Sequence, residues 1–282
     1  MKIIECPRDA MQGLHHFIPT DIKVEYINSL LDIGFDTIDF GSFVSPKAIP
    51  QMRDTADVLS KLNITINSSK LLAIIANTRG AEDAIQFDEI KYLGFPFSIS
   101  ETFQQRNTNS SIEQSLIRVE EIQKLCIQKN KELVVYISMG FGNPYGDEWS
   151  VEVVEKWTKK LADMGVKILA FSDTIGVSNP ENIDYLFKNI APLFPHIEFG
   201  AHLHSTPEDR IEKINAAYLA GCRRIDSAIY GFGGCPMAAD DLTGNMATET
   251  LISYLDEHQI NSGVNKEGLV KAMQLANKVF YP

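Results

Sequence analysis

Short apolar runs of β type alternate with longer stretches of helical periodicity along the whole chain, and this alternation limits the fold more than any other feature. The spacing predicts strands over residues 2–7, 37–42, 70–76, 89–95, 133–141, 167–173, 197–204 and 224–232. Between them lie helical stripes that read as core-facing, such as Leu116, Val119, Ile122 and Cys126 in one segment and Ile211, Ile214 and Tyr218 in another. Ser45, Asn179 and Thr206 each precede a proline and are predicted to cap helices, and Ser110 with Glu113 has capping-box spacing. Gly34, Gly165 and Gly221 each follow an apolar helical turn and precede a strand, as left-handed helix-terminating glycines do.

Eight such units in 282 residues predict an α/β protein: a (β/α)8 TIM barrel forming one catalytic domain over residues 1–282, with a helix of about residues 266–279 appended. An open doubly wound sheet is the alternative, because pattern alone does not show closure. The polar residues favour the barrel, whose chemistry collects where strands end. The first strand runs into Arg8 and Asp9, the second holds Asp39 and Ser42, and the sixth ends at Asp173 and Thr174. The seventh ends at His202 and His204, and the eighth leads to Cys235.

Composition narrows the function classes. With 44% hydrophobic, 22% charged and 9% aromatic residues the chain has the make-up of an ordinary soluble globule, and no apolar run reaches membrane-spanning length. A formal charge of −11, from 26 basic against 37 acidic residues, argues against nucleic acid as a partner, yet a few local cations suffice for a phosphorylated or CoA-linked ligand. Cys6, Cys126, Cys222 and Cys235 lie far apart in unlike surroundings, so neither a zinc knuckle nor a disulfide framework is expected. Met1 gives way almost at once to the apolar segment 2–6; a signal or transit peptide is therefore not expected, and the cytoplasm is the expected compartment. A homodimer is the expected assembly for an acidic barrel of this size.

The sharpest local feature is His202-Leu203-His204, because the period of two along a strand turns both imidazoles to one face, as two ligands of one ion require. Asp9 adds a carboxylate from another strand end, and Asn245, read as opening the last helix, adds an amide oxygen. Two imidazoles, a carboxylate and an amide make a mixed site suited to Mg²⁺ or Mn²⁺. Singly, each has a plainer reading: buried structural histidines, an Asp9–Arg8 surface pair, an Asn245 helix cap. The loop Gly231-Phe232-Gly233-Gly234-Cys235-Pro236 lacks the spacing of a phosphate or dinucleotide loop and reads as a flexible lid. Its Cys235 is then a proton donor or acceptor, or else an inert thiol on a turn.

Taken in order, Pro7-Arg8-Asp9-Ala10-Met11-Gln12, Ser42-Phe43-Val44-Ser45-Pro46-Lys47, Pro50-Gln51-Met52, Asp173-Thr174-Ile175-Gly176, His202-x-His204, Gly233-Gly234-Cys235-Pro236 and Gly244-Asn245-x-Ala247-Thr248-Glu249 resemble the 3-hydroxy-3-methylglutaryl-CoA lyase family of barrel metallolyases over nearly the whole length. The resemblance implies retro-Claisen cleavage of an acyl-CoA substrate to acetyl-CoA and acetoacetate. It implies a divalent cation on Asp9, His202, His204 and Asn245, Arg8 stabilising the enolate, and Cys235 moving a proton. Asp39 and Asp173 are the candidate bases, with His202 also placed among the catalytic groups. Gln12, Ser42 and Thr174 are candidate substrate contacts. Glu5 is expected to orient Arg8, and Glu249 to support the metal ligands.

The chain departs from the family pattern at Ala10 (usually glycine), Asp39 (usually glutamate), Asn143 (usually cysteine) and Ser205 (usually aspartate). These changes leave reaction class safer than exact substrate. A related barrel aldolase or Claisen-type acyltransferase would reuse the same groups, and product analysis separates it from the lyase. A non-catalytic binding barrel should lack a ligand or the general acid, and none is missing.

Overall fold

Along the third to sixth strands, alternate side chains go to two different cores, and the same inward parity on the other strands builds the site. The computed structural model describes residues 1–234 and 243–281. Among these, β1 (Lys2–Glu5), β2 (Thr37–Ser42), β3 (Lys70–Ile74), β4 (Ile90–Ser98), β5 (Glu132–Ser138), β6 (Ile168–Asp173), β7 (Glu198–Leu203) and β8 (Arg224–Ser227) follow one another in parallel and close into a barrel. Closure is made by β8 on β1, with Lys2 opposite Arg224 and Glu5 opposite Ser227. Leu72, Ile74, Tyr92, Val134, Tyr136, Ile168 and Ala170 pack inside the barrel. Their strand neighbours Leu71, Ala73, Leu93, Val135, Leu169 and Phe171 pack outward under the helices. The (β/α)8 expectation holds, and the open sheet is excluded.

Several local expectations shift, each for a physical reason. The first strand stops at Glu5 because Pro7, whose fixed φ suits a first helical turn, starts the helix Pro7–Gln12. The eighth stops at Ser227, where the chain turns into the short 3-10 segment Ile229–Gly231 with Tyr230 at φ 62°. Asn179 caps its helix as expected, but the capping box predicted at Ser110 is made one residue on, by Ser111 and Gln114. Ser45 opens a single turn rather than a helix, and the helix after Thr206 waits until Arg210. There Ile211 is exposed, and Lys213, Ile214, Ala216 and Ala217 form the buried face. Leu116, Val119, Ile122 and Cys126 are all buried, and Gly34, Gly165 and Gly221 all take positive φ. The appended helix is Lys266–Phe280. Among the described residues no helix is long and apolar enough to cross a membrane.

Candidate active site

A cavity of about 150 Å³ opens at the C-terminal ends of the strands, the end where barrel chemistry is assembled. One side is the helix Pro7–Gln12, whose spacing stacks Arg8 and Gln12 one turn apart with Asp9 between them. Arg8 Nη1 donates to Asp9 Oδ1 at 2.8 Å and to Gln12 Oε1 at 2.9 Å, and Gln12 Nε2 donates to Asp9 Oδ1 at 2.8 Å. On its other edge the guanidinium meets Asp39, with Nε 2.9 Å and Nη2 2.5 Å from Oδ2. Burial pushes the Asp39 carboxyl up, Arg8 pulls it back, and the net position is about 6. Burial opposes the Asp9 charge as well, but Arg8 first, then His202, His204 and the Asn245 N–H, hold its carboxyl below the usual range.

Leu203 packs outward, so His202 and His204 face the cavity from β7 and the residue just beyond it. One ligand atom each of Asp9, His202 and His204 lie within 4.8 Å of one another, close enough to hold one metal ion. One carboxylate with two imidazoles is a donor set that suits a divalent cation, and an adjoining cavity leaves coordination positions for substrate oxygens. Burial lowers the His204 basicity and the neighbouring His202 lowers it further, which favours the neutral, ligand-competent ring. Lys213, fully buried, donates to the His204 carbonyl at 2.9 Å and so pins the end of β7.

Asn245 reaches this cluster by a route different from the helix start predicted for it. Residues 244–247 wedge between the ends of β7 and β8, which pair with each other only at Ala201 and Ile225. His204 and Asn245 form an antiparallel bridge, Met246 N donates to the Leu203 carbonyl, and Ala228 N donates to the Met246 carbonyl. The helix begins later, at Thr248. Asn245 Nδ2 donates to Asp9 Oδ2 at 2.7 Å and to the Phe232 carbonyl at 2.9 Å. Gly233, at φ 103°, lies against the same groups: a Cβ there would stand 2.5 Å from Asn245 Nδ2 and 3.0 Å from the Asp9 carbonyl.

Gln12, Ser42 and Thr174 line the cavity with Arg8, Asp9, His202 and His204. Asp39 stands behind Arg8 rather than on the cavity wall. Asp173 is held away from it. On β6 it shares the parity of Leu169 and Phe171, and its carboxylate accepts from Val177 N and Ser178 N and lies 3.5 Å from Lys213 Nζ. Glu5 does not orient Arg8: sharing the outward parity of Ile3, it accepts from Ile229 N and bonds Thr248 Oγ1. Glu249 accepts from Tyr230 N and so supports the bend after β8 rather than the ligand cluster. Cys235 lies outside the described residues.

Sequence reading missed Asp226, Lys213, Tyr136, Ser138 and Ser172. Tyr136, Ser138 and Ser172 line the cavity from β5 and β6, and period-two counting from Val134 and Ala170 would have found them. At the departures from the family pattern, Ser205 Oγ donates to the Asn245 carbonyl and Asn143 Oδ1 accepts from Tyr145 N and Asp147 N, shaping a tight loop.

A closed parallel barrel whose strand ends gather a carboxylate, two imidazoles and a clamped guanidinium around one cavity is, as a class, an enzyme barrel with a site able to hold a metal ion. Comparison with known proteins makes the assignment specific: the family model described as HMGL-like matches residues 2–276, and the chain belongs to that family. It is 34% identical over 277 residues to the cytoplasmic 3-hydroxy-3-methylglutaryl-CoA lyase of Homo sapiens, covering 97% of this chain and 73% of that protein. The hydroxymethylglutaryl-CoA lyase of Pseudomonas aeruginosa superposes with a TM-score of 0.92 at 32% identity, covering 100% of this chain and 93% of that one. An HMG-CoA lyase from Acinetobacter baumannii, solved in complex with coenzyme A and 3-methylmalate, gives 0.91 at 29% identity, over 99% of this chain and 90% of that one.

Proposed function

We propose that this chain works as a single catalytic unit that cleaves 3-hydroxy-3-methylglutaryl-CoA to acetyl-CoA and acetoacetate. The observation that carries the reading is the Arg8 guanidinium, fixed by Asp39 and touching Asp9 in the same cavity as His202 and His204. The relatives' names supply the substrate. We assign Asp9, His202, His204 and Asn245 to hold a divalent cation, Mg²⁺ or Mn²⁺. Bound there, the ion would acidify the substrate's C3 hydroxyl.

The rest falls to the residues. The hydroxyl proton leaves to water in the open cavity, since Nδ1 of His202 is taken by Asp226 and its other nitrogen is assigned to the ion, while Asp39 is occupied by Arg8 and Asp173 by Lys213 and loop amides. As C3 becomes a ketone the C2–C3 bond breaks, and its electrons move onto the thioester as an enolate. Arg8 is placed to receive that charge; a donor already fixed does not have to reorganise as the charge forms. Protonation at C2 by Cys235 then gives acetyl-CoA, and a proton from water restores the thiol. Gln12, Ser42, Thr174, Ser138 and Ser172 offer polar contacts around the acyl group. The cytoplasm is the compartment we propose.

Purified protein incubated with 3-hydroxy-3-methylglutaryl-CoA should release acetyl-CoA and acetoacetate in equal amounts. Release of free CoA with intact acid, or turnover only with 2-keto acids, would replace the lyase reading with a hydrolase or an aldolase.

A further inference from the structure

We propose that Asp226 is a positioning residue for His202: its carboxylate fixes the imidazole in the Nδ1–H tautomer and keeps Nε2 as the nitrogen with the free lone pair. The inference rests on the reading of Asp9, His202 and His204 as one cluster, and it names the group that makes His202 competent within it. His202 Nδ1 lies 3.1 Å from Asp226 Oδ2, between side chains that are both largely buried. An ionised carboxylate only accepts, so the ring nitrogen must donate, and Nε2 is left without a proton. As a ligand of the ion, His202 acts through that lone pair.

The pairing follows from register. Ala201 on β7 stands opposite Ile225 on β8, and both pack outward under the helices. The next residue on each strand, His202 and Asp226, therefore turns inward side by side. Tyr136 meets the imidazole edge-on, with ring centroids 5.5 Å apart and planes at 77°, so the ring is held by an aromatic on one side and a carboxylate at Nδ1. Asp226 Oδ1 is buried without a hydrogen-bond partner among the described residues, so His202 is the only hydrogen-bonding task the structure gives this carboxylate. A buried carboxylate retained on those terms is a costly choice for mere packing.

The test uses the full-length protein. In metal-free wild type, long-range proton–nitrogen NMR at a pH where the ring is neutral should report His202 as the Nδ1–H tautomer. Asp226→Asn, nearly identical in shape, presents an amide N–H that can face Nδ1. It should shift His202 towards Nε2–H and weaken Mn²⁺ binding by about 10–100-fold, with unchanged circular dichroism; Asp226→Glu should recover part of both. An Nε2–H ring in the wild type would overturn the proposal, even if the variant fails to fold. So would an Asn variant with the wild-type tautomer and Mn²⁺ affinity. If the wild type shows Nδ1–H and the variant loses it, but neither binds Mn²⁺, the positioning role stands and the metal reading of the cluster fails.

Discussion

Arg8 and Asp39 meet edge to edge, with Nε 2.9 Å and Nη2 2.5 Å from the same carboxylate oxygen, and both side chains are almost fully buried. Arg8→Gln should lower kcat by about 10²–10³-fold while Mn²⁺ still binds, because a donor used mainly in the transition state is lost. It should also destabilise the fold by about 3 kcal/mol, since Asp39 is left buried without its partner. Adding Asp39→Asn should restore the melting temperature but not the rate. A double variant that recovers both would show that Arg8 matters only for folding.

Asp39 makes the Arg8 clamp sensitive to acid. Its carboxyl sits at about 6 because burial, with the charges of Asp9 and Asp226, outweighs the pull of Arg8. It is therefore ionised at neutral pH and becomes protonated as the pH falls through that value. The kcat profile should lose activity on the acid side with a midpoint near about 6. In Asp39→Asn the plateau should fall about tenfold or more as Arg8 loses its fixed position, and that limb should disappear. An unchanged limb in the variant would assign it to another group.

Glu5 is a buried acid in a role the sequence did not suggest. Burial lifts its carboxyl from 4.5 to about 8, with the bonds from Thr248 and Ile229 only partly offsetting this. Thr248 Oγ1 lies 2.5 Å from Glu5 Oε2 and 2.9 Å from Ser227 Oγ, with one proton to give. A protonated Glu5 donating to Thr248 leaves that proton for Ser227. The folded chain thus keeps a proton that the unfolded chain releases above 4.5, so this contribution to stability is full below that pH and is lost as pH rises to about 8. Glu5→Gln reproduces the neutral bonding pattern at every pH. Its melting temperature should gain on the wild type between those two pH values; parallel curves would contradict this.

Cys235 can be tested by elimination. Cys6, Cys126 and Cys222 are buried, and burial pushes the Cys126 and Cys222 thiols up to about 12, so none of the three is a ready nucleophile. A thiol reagent should inactivate the wild type much faster than Cys235→Ala, which should itself turn over slowly while folding normally. Equal inactivation of both would remove Cys235 from the reaction.

The barrel and the His202, His204 and Asp9 cluster were readable because each depends on a local period or on a strand end. The same period, applied to β6 and β1, sends Asp173 outward with Phe171 and Glu5 outward with Ile3; counting strand ends without parity misplaced both. Asp226 was hidden for a different reason. Its partner is chosen by the β7–β8 register, which no segment read alone contains. Asn245 was found but placed in a helix, because its real position depends on β7 and β8 parting to admit a third segment.

The most direct measurement is to titrate chelator-stripped protein with Mn²⁺ while following both bound ion and acetoacetate formed from 3-hydroxy-3-methylglutaryl-CoA, beside an Asp9→Ala variant. Occupancy and activity should rise together in the wild type and fail together in the variant, whose ligand set has lost its carboxylate. Full activity in the stripped protein, or an Asp9→Ala variant that still binds the ion and turns over normally, would contradict a metal-assisted cleavage at this cluster.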